Sequence, residues 1–217
     1  MIKKYTIIAG AISLLTTGIS NANNLNDDIA YLQTQWAMIN YQTEEGEREN
    51  AFSELANEAK NRVESHPDRA ETLVWEGIIL STYAGAKGGL GALGLIEEAR
   101  DRLLDAEKID PDALNGSIYT SLGSLYYQAP GWPISFGSND DAQLYLKRAL
   151  TLNPDGIDPN YFYGDFLIEQ GKYQEAITVL EHALKASPRA ARPIADAGRQ
   201  IEINEKIALA KSKINPQ

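Results

Sequence analysis

The chain contains no cysteine, and this absence excludes several kinds of chemistry. None of its 217 residues can form a disulfide, a thiolate metal site or a cysteine nucleophile. Its two histidines, His66 and His182, have no partners at the spacing of metal ligands. No Ser-His-Asp arrangement, nucleophile elbow or H-E-x-x-H motif occurs. We therefore expect a protein that is not an enzyme and that has no cofactor and no metal site.

Basic residues are fewer than acidic ones. The sequence has 20 lysines and arginines against 30 aspartates and glutamates, a formal net charge of −10. This excess of negative charge disfavours nucleic acids and anionic membrane surfaces as partners. We expect the charge to serve solubility rather than recognition of a basic partner.

The first residues have the pattern of a secretory signal. Lys3 and Lys4 form a basic region, residues 7–19 are apolar, and Ser20 and Ala22 are small residues at the −3 and −1 positions. The alternative is an uncleaved membrane anchor, but the apolar run is short for a span of about 20 residues. We predict cleavage after Ala22, which leaves a periplasmic protein without a membrane span and with a net charge of about −12.

One four-residue pattern recurs three times along the chain. It consists of Ala, Leu four residues on, Ala three further and Pro five further. The instances are Ala99-Leu103-Ala106-Pro111, Ala142-Leu146-Ala149-Pro154 and Ala176-Leu180-Ala183-Pro188. Self-similarity of this kind indicates a repeat architecture in which each unit packs against its neighbours.

A glycine precedes each instance, at Gly77, Gly123 and Gly164. The distance from that glycine to the first alanine of the pattern is 22, 19 and 12 residues in turn. The first two units therefore carry insertions, at residues 85–95 and 128–140. In repeat proteins such insertions fall on one side of the stack, which is often the binding side.

Residues 158–188 follow the pattern of a tetratricopeptide repeat (TPR). The matching positions are Gly164, Leu167, Gly171, Tyr173, Ala176, Leu180, Ala183 and Pro188. The chain thus resembles the TPR superfamily, which implies a right-handed superhelix of helix pairs that binds protein segments on its concave face. No segment shows the alternation of a strand, so we predict an all-α fold, an α-solenoid with an N-terminal helical hairpin and a C-terminal capping helix.

The predicted organisation has six segments. They are a signal peptide (1–22), an N-terminal hairpin that is a cap or degenerate repeat (23–67), three TPR-like units (68–113, 114–156 and 157–190) and a capping helix (191–217). We expect residues 23–28 to be flexible, residues 43–49 to form a charged turn, and the second helix to begin near Asn50. The expected apolar positions of the capping helix are Ile194, Ile201, Ile207 and Leu209.

A second, narrower resemblance rests on the insertion at residues 128–140. There Ala129-Pro130-Gly131-Trp132-Pro133 is followed by Phe136-Gly137. With the signal sequence and the insertions, this stretch looks like the periplasmic T component of TPR-associated TRAP transporters. The resemblance implies a solute-binding protein as partner and a ligand-sized hydrophobic cavity. The chain departs from that family in lacking the cysteine of a lipoprotein anchor.

Aromatic residues are the first candidates for a binding site. Trp132 and Phe136 lie on the second insertion, where they either anchor a partner or pack over the repeat core. Tyr127, Tyr161 and Tyr163 lie on first helices of the units, and first helices line the concave surface in TPR folds. We expect Tyr161 and Tyr163 to be accessible and to offer amphipathic contact area, and Tyr126 to be buried.

Arg189, Arg192 and Arg199 form a basic cluster in an acidic protein. They could receive a carboxylate or acidic C-terminus, or form salt bridges to Asp196 and Glu202.

Residues 89–94 match G-x-G-x-x-G, but they lie between two predicted helices rather than after a strand. We interpret residues 89–94 as a Gly-rich loop or a tightly packed helix start rather than a nucleotide site. Separately, we expect Asn139-Asp140 to cap the helix that follows the second insertion.

The sequence favours a secreted, periplasmic, non-enzymatic TPR protein that acts as a protein-binding adaptor or scaffold. The alternative is an accessory protein of a TRAP-type transport system that binds a small apolar ligand. An open groove lined by Tyr161 and Tyr163 would favour the adaptor, and an apolar pocket walled by the inserted loops would favour the ligand-binding protein. The expected partner is a protein or peptide, and a homo-oligomer is compatible with the sequence.

Overall fold

The computed structural model describes residues 17–214, with side chains from residue 24 onward. Apart from one isolated bridge between Gly131 and Gly137, all regular structure in these residues is helical. The helices are α1 (Thr17–Gln42), α2 (Glu45–Ser65), α3 (Ala70–Lys87), α4 (Leu93–Ile109), α5 (Ser117–Gln128), α6 (Asn139–Leu152), α7 (Ile157–Glu169), α8 (Tyr173–Ala183) and α9 (Pro193–Ile214), with a short 3-10 turn at Leu90–Ala92. The predicted all-α repeat fold is confirmed.

Three helix pairs form the middle of the array, and a glycine sets the close approach within each. Methyl groups added at Gly77, Gly123 and Gly164 would lie 2.8, 2.6 and 2.6 Å from Cγ of the leucine on the paired helix. Those leucines are Leu103, Leu146 and Leu180. The recurring Ala, Leu and Ala of α4, α6 and α8 are all fully buried. The spacing found in the sequence therefore marks the residues through which the two helices of each pair pack together.

The turn between α7 and α8 is the shortest of the three. Gly171 adopts φ of 71°, a left-handed conformation that glycine accepts without steric cost. Its N–H donates to the carbonyl of Ile168, and Lys172 N–H donates to the carbonyl of Leu167. These bonds satisfy carbonyls at the end of α7 and reverse the chain in a few residues.

The N-terminal hairpin is more helical than predicted. Residues 23–28 belong to α1, so the expected flexible start is wrong. Leu25 is buried and extends the apolar stripe one turn before Ile29, which is also buried. The charged turn predicted at 43–49 is also wrong in extent, because α2 begins at Glu45 and its first turn accepts acidic side chains such as Glu47.

The predicted signal peptide falls largely outside the described residues. Residues 1–16 are not described, and the predicted cleavage site after Ala22 lies within α1. The described buried side chains of α1 begin at Leu25. They all follow the predicted cleavage site. Among the helices that the structure describes, none has the length and apolar character required to cross a membrane.

The capping helix α9 matches the prediction at two of its four apolar positions, because Ile207 is buried and Ile194 is half-buried. Ile201 and Leu209 are 61% and 40% exposed. The buried apolar residues are Ala195, Ile203, Ile207 and Ala210. Alanine is small enough to face the preceding helices at close range, but its weak hydropathy did not mark Ala195 and Ala210 as core positions in the sequence.

The array closes on itself where α9 meets α1. Gly198 of α9 lies directly against the ring of Tyr41, and the Tyr41 hydroxyl donates to Glu202 at 3.2 Å. Ala195 packs in the same apolar cluster as Trp36 and Trp75. The inner helices α1, α3, α5, α7 and α9 consequently surround a central cavity.

Candidate functional site

The central cavity has a volume of about 890 Å³ and opens to solvent. This volume falls within the range of about 300–1,000 Å³ that is usual for ligand sites. One part of its wall is aromatic and apolar. That part comprises Trp36, Phe52, Trp75, Ile78, Tyr161 and Phe162.

Much of the rest of the wall is polar. The helix α5 contributes short hydroxyl side chains at Thr120, Ser121 and Ser124, and the segment from α8 into α9 contributes arginines. Small residues on α5 leave space in the middle of the ring, while large ones fill its sides. The combination of apolar walls with a few convergent polar groups is typical of a binding site.

Asp158, at the start of α7, organises the arginines. Its carboxylate accepts from Arg189 at 2.6 Å and from Arg199 at 3.0 Å. Arg189 also bonds Asp196 at 2.7 Å, and Arg199 bonds Glu202 at 2.6 Å. Burial opposes ionisation of Asp158, but the two guanidinium groups hold its pKa below the usual range. Of the two alternatives for Arg189 and Arg199, the structure therefore shows the salt bridges.

Arg192 differs from its two neighbours. Within the described residues its guanidinium forms no salt bridge, and its buried Nε has no hydrogen-bond partner. The group lies over the Trp75 ring, 5.3 Å from the ring centroid. Burial lowers the pKa of Arg192, and the positive charges of Arg189 and Arg199 act in the same direction, against the attraction of Asp158.

The tyrosines divide between the cavity and the core. Tyr161 lines the cavity but is only 7% exposed, so the expectation that it is accessible is wrong. The guanidinium carbon of Arg199 lies 4.2 Å from its ring centroid and covers it. Burial raises the pKa of the Tyr161 hydroxyl above its usual value.

The other two candidate tyrosines do not line the cavity. Tyr163 is half-buried and stacks with Phe166, at 6.4 Å between ring centroids. Tyr127 donates its hydroxyl hydrogen to Asp165 at 2.7 Å, and burial raises its pKa. Tyr126, predicted to be buried, is half-buried and packs against the ring of Phe136.

The second insertion separates its two aromatic residues. Trp132 is 90% exposed at the tip of the loop. Phe136 packs back on the molecule, with its ring centroid 5.2 Å from that of Tyr126 and 4.5 Å from the guanidinium carbon of Arg100. Neither residue lines the central cavity. The loop thus does not bring the two together into one site.

The helix after this insertion is capped by a residue that differs from the prediction. The Ser138 hydroxyl accepts from the backbone N–H of Asp141 at 3.3 Å. Asn139 and Asp140 lie inside the first turn of α6, so their predicted capping role is wrong. Serine one position earlier has the extended backbone that an N-cap requires.

The Gly-rich stretch at residues 89–94 forms the short 3-10 turn and the start of α4. Leu90 at its centre is 86% exposed. A helix precedes it where a dinucleotide site would need a strand. No group of three or more histidine or carboxylate side chains in the described part of the chain could hold a metal ion.

Three residues of the cavity could not be assigned to a site from the sequence. Trp36 and Trp75 fit helical apolar spacing, which gives no sign that they face a cavity. Asp158 resembles an ordinary acidic residue in the first turn of a helix. These three residues come together only because α9 packs against α1. The sequence gives one indication of that contact, which is that the arginines near α9 have a possible acidic partner in the preceding repeat.

Comparison with known families supports the repeat assignment. Residues 134–196 match the family model described as Tetratricopeptide repeat. This range contains all of α6, α7 and α8 and the start of α9. The predicted membership of the TPR superfamily is confirmed in this part of the chain. No protein with a curated functional description matches the sequence.

Several solved structures are similar in fold. One titled "Crystal structure of MamA" has 20% identity and a TM-score of 0.44, and covers 76% of this chain and 90% of its own. A second MamA structure, from AMB-1, has 16% identity and a TM-score of 0.46, covering 92% and 94%. TTC0263, described as a thermophilic TPR protein in Thermus thermophilus, has 16% identity and a TM-score of 0.46, covering 86% and 98%. Sequence identities and TM-scores this low support no inference about function. The likeness to the T component of TRAP transporters remains a prediction.

Proposed function

We propose that this chain is a non-enzymatic adaptor that binds a segment of a partner protein in its central cavity. The observation that carries the proposal is the cavity itself, because inner helices of successive repeats converge on it with aromatic, hydroxyl and guanidinium groups. The helices are held by close packing, so the surface is organised before the partner arrives. The N-terminal sequence supports a periplasmic location for this activity.

The shape of the site bears on which of the two predicted functions is favoured. The cavity opens to solvent, and helices and the turns between them wall it rather than the tips of the inserted loops. Such an opening admits a segment of a partner chain. The small apolar-ligand alternative keeps one supporting observation, the aromatic wall of Trp36, Phe52 and Trp75.

A cavity-filling substitution tests the proposal. Proteins retained from a periplasmic extract by the immobilised chain are identified, purified and titrated calorimetrically. Ser121→Trp places a large ring inside the cavity, and we expect it to weaken binding by at least about tenfold, as loss of a central contact does. Leu144→Trp, at an exposed position of α6, is the matched control and should leave the affinity unchanged.

Two outcomes would contradict the cavity proposal. One is equal affinity for the parent chain and a Ser121→Trp variant that keeps the parent's melting temperature. The other is loss of binding in Trp132→Ala with no loss in Ser121→Trp, which would move the binding surface to the exposed loop. Co-purification of a lipid or metabolite with no retained protein would favour the small-ligand alternative.

A further inference from the structure

The two most exposed large apolar side chains of the described residues lie on the two insertions. Leu90, in the 3-10 turn of the first insertion, is 86% exposed, and Trp132, in the second, is 90% exposed. Ile134 lies two residues beyond Trp132 and is 62% exposed. These three side chains form the apolar tips of the insertions. Large apolar groups gathered on a protein surface mark a site of contact with a protein or a membrane.

The apolar tips project from the same edge of the helix array. Each insertion joins the first helix of a unit to the second, and successive units stack in the same orientation. Phe136 of the second insertion packs over Arg100 of α4, the helix that follows the 3-10 turn of the first insertion. The two insertions are therefore neighbours, and one flat surface can contact both.

The second insertion is held in a fixed conformation. The N–H of Gly137 donates to the carbonyl of Pro130 at 2.9 Å, and the N–H of Ser138 donates to the carbonyl of Tyr126 at 2.8 Å. The ring of Phe136 packs edge-on against the ring of Tyr126 and anchors the loop from below. Because these contacts order the loop before it meets any surface, little conformational entropy is lost on binding.

Charge distinguishes between the surfaces that the apolar tips can contact. Residues 88–96 and 128–139 contain no charged side chain, and the exposed carboxylates of Glu97, Asp140 and Asp141 follow them directly. An anionic lipid surface would be repelled by these carboxylates and by the net charge of −10. A zwitterionic lipid surface has no net charge, and tryptophan favours the boundary between its polar and apolar layers. A bilayer also accepts separate protrusions without the matched recess for each that a protein surface would have to provide.

We propose that the apolar tips insert into the interfacial layer of a zwitterionic bilayer and dock the chain there as a peripheral protein. The inference goes beyond the proposed function, because it concerns a different surface and a different ligand. Three apolar side chains without a basic patch give weak, reversible attachment. The cavity stays free for a partner segment while the insertions contact the lipid.

Co-sedimentation with vesicles of phosphatidylcholine tests the proposal through a matched pair of substitutions. Ile134→Gln removes an apolar tip, whereas Ile201→Gln changes an isoleucine of almost equal exposure, 61%, on α9. We expect Ile134→Gln and Trp132→Gln each to lower the partition coefficient by about tenfold, since each removes one large apolar group from the lipid contact. The control Ile201→Gln should partition like the parent. All variants share one N-terminus, so residues 7–19 contribute equally to each.

Fluorescence quenching locates the contact independently of its strength. Trp36 and Trp75 are buried, so Trp132 is the tryptophan of the described residues that lipid can reach. Bromine atoms on the acyl chains of phosphatidylcholine quench tryptophan that lies among them. We expect such vesicles to quench the parent chain and to leave the emission of Trp132→Gln unchanged. Co-sedimentation of the parent without quenching would overturn the proposed insertion.

Other results would also overturn the inference. They are no partition of the parent onto phosphatidylcholine, equal losses in Ile134→Gln and Ile201→Gln, and tighter partition onto an equal mixture of phosphatidylcholine and phosphatidylglycerol. If the parent ignores vesicles and Trp132→Gln weakens its binding to a purified protein, the apolar tips dock protein and the lipid inference fails.

The cavity variant separates this inference from the proposed function. Ser121→Trp fills the cavity, which lies away from the apolar tips, so it should partition onto vesicles like the parent. Vesicle binding that survives in Ser121→Trp supports the lipid contact even where the cavity proposal fails. Loss of vesicle binding in a folded Ser121→Trp chain would place the lipid contact at the cavity and overturn the inference.

Discussion

Gly198 of α9 lies directly beneath the ring of Tyr41 of α1, where a methyl group on Gly198 would overlap the ring. The Tyr41 hydroxyl reaches Glu202, one turn further along α9. This contact joins the first and last helices of the array. The central cavity exists because they meet.

Gly198→Ala tests the importance of this closure. The added methyl forces the Tyr41 ring away, and overpacking of this kind costs about 1–3 kcal/mol of unfolding free energy. Gly46→Ala is the control, since Gly46 is also helical and nothing lies within 4 Å of its added methyl. Urea unfolding should show a lower midpoint for Gly198→Ala and an equal or higher one for Gly46→Ala. Equal midpoints for both variants would show that α9 does not pack on α1 as described.

Asp158→Asn tests the ion network beside the cavity. The substitution removes the partner that Arg189 and Arg199 share, while Asp196 and Glu202 remain bonded to them. Loss of hydrogen bonds between charged groups at this half-buried position costs about 1.5–3 kcal/mol. Asp155→Asn, three residues earlier, removes a carboxylate that is 83% exposed and pairs with His182. Its expected cost is about 0–1 kcal/mol. An Asp158→Asn variant as stable in urea as Asp155→Asn would contradict the network's structural role.

The second insertion offers a comparison within one loop. Phe136→Ala removes a ring packed on Tyr126 and Arg100, and we expect a loss of about 1–3 kcal/mol of unfolding free energy. Trp132→Ala changes a side chain that is 90% exposed, with an expected effect within about 0.5 kcal/mol. Thermal unfolding of both variants measures the difference. A larger loss from Trp132→Ala would mean that its ring packs against the molecule.

The repeat core could be predicted from the sequence because its spacing is local. Gly77, Gly123 and Gly164 face the leucines that the pattern assigns to them, and each pair is set by one helix hairpin. The site could be predicted only in part. Arg189 and Arg192 were candidates, but Trp36 and Trp75 join them through contacts between helices far apart in sequence.

The same reason explains why the prediction was wrong for Tyr161 and for Ile201 and Leu209 of α9. Tyr161 has the spacing of an accessible first-helix residue, yet Arg199 from α9 covers it. Ile201 is more apolar than Ala195, yet the alanine packs in the cluster with Trp36 and Trp75, and Ile201 is 61% exposed. Both outcomes depend on how the last helix closes the ring, which local hydropathy does not encode.

Site-specific cross-linking tests the central claim, that the partner binds inside the cavity. The absence of native cysteine allows a single reactive thiol to be placed at Ser121→Cys in the cavity wall or at Leu144→Cys, which is 65% exposed on α6. With the partner purified from the binding assay, we predict a cross-link from Ser121→Cys and none above background from Leu144→Cys. Cross-linking from Leu144→Cys or from Trp132→Cys, with none from Ser121→Cys, would contradict the claim.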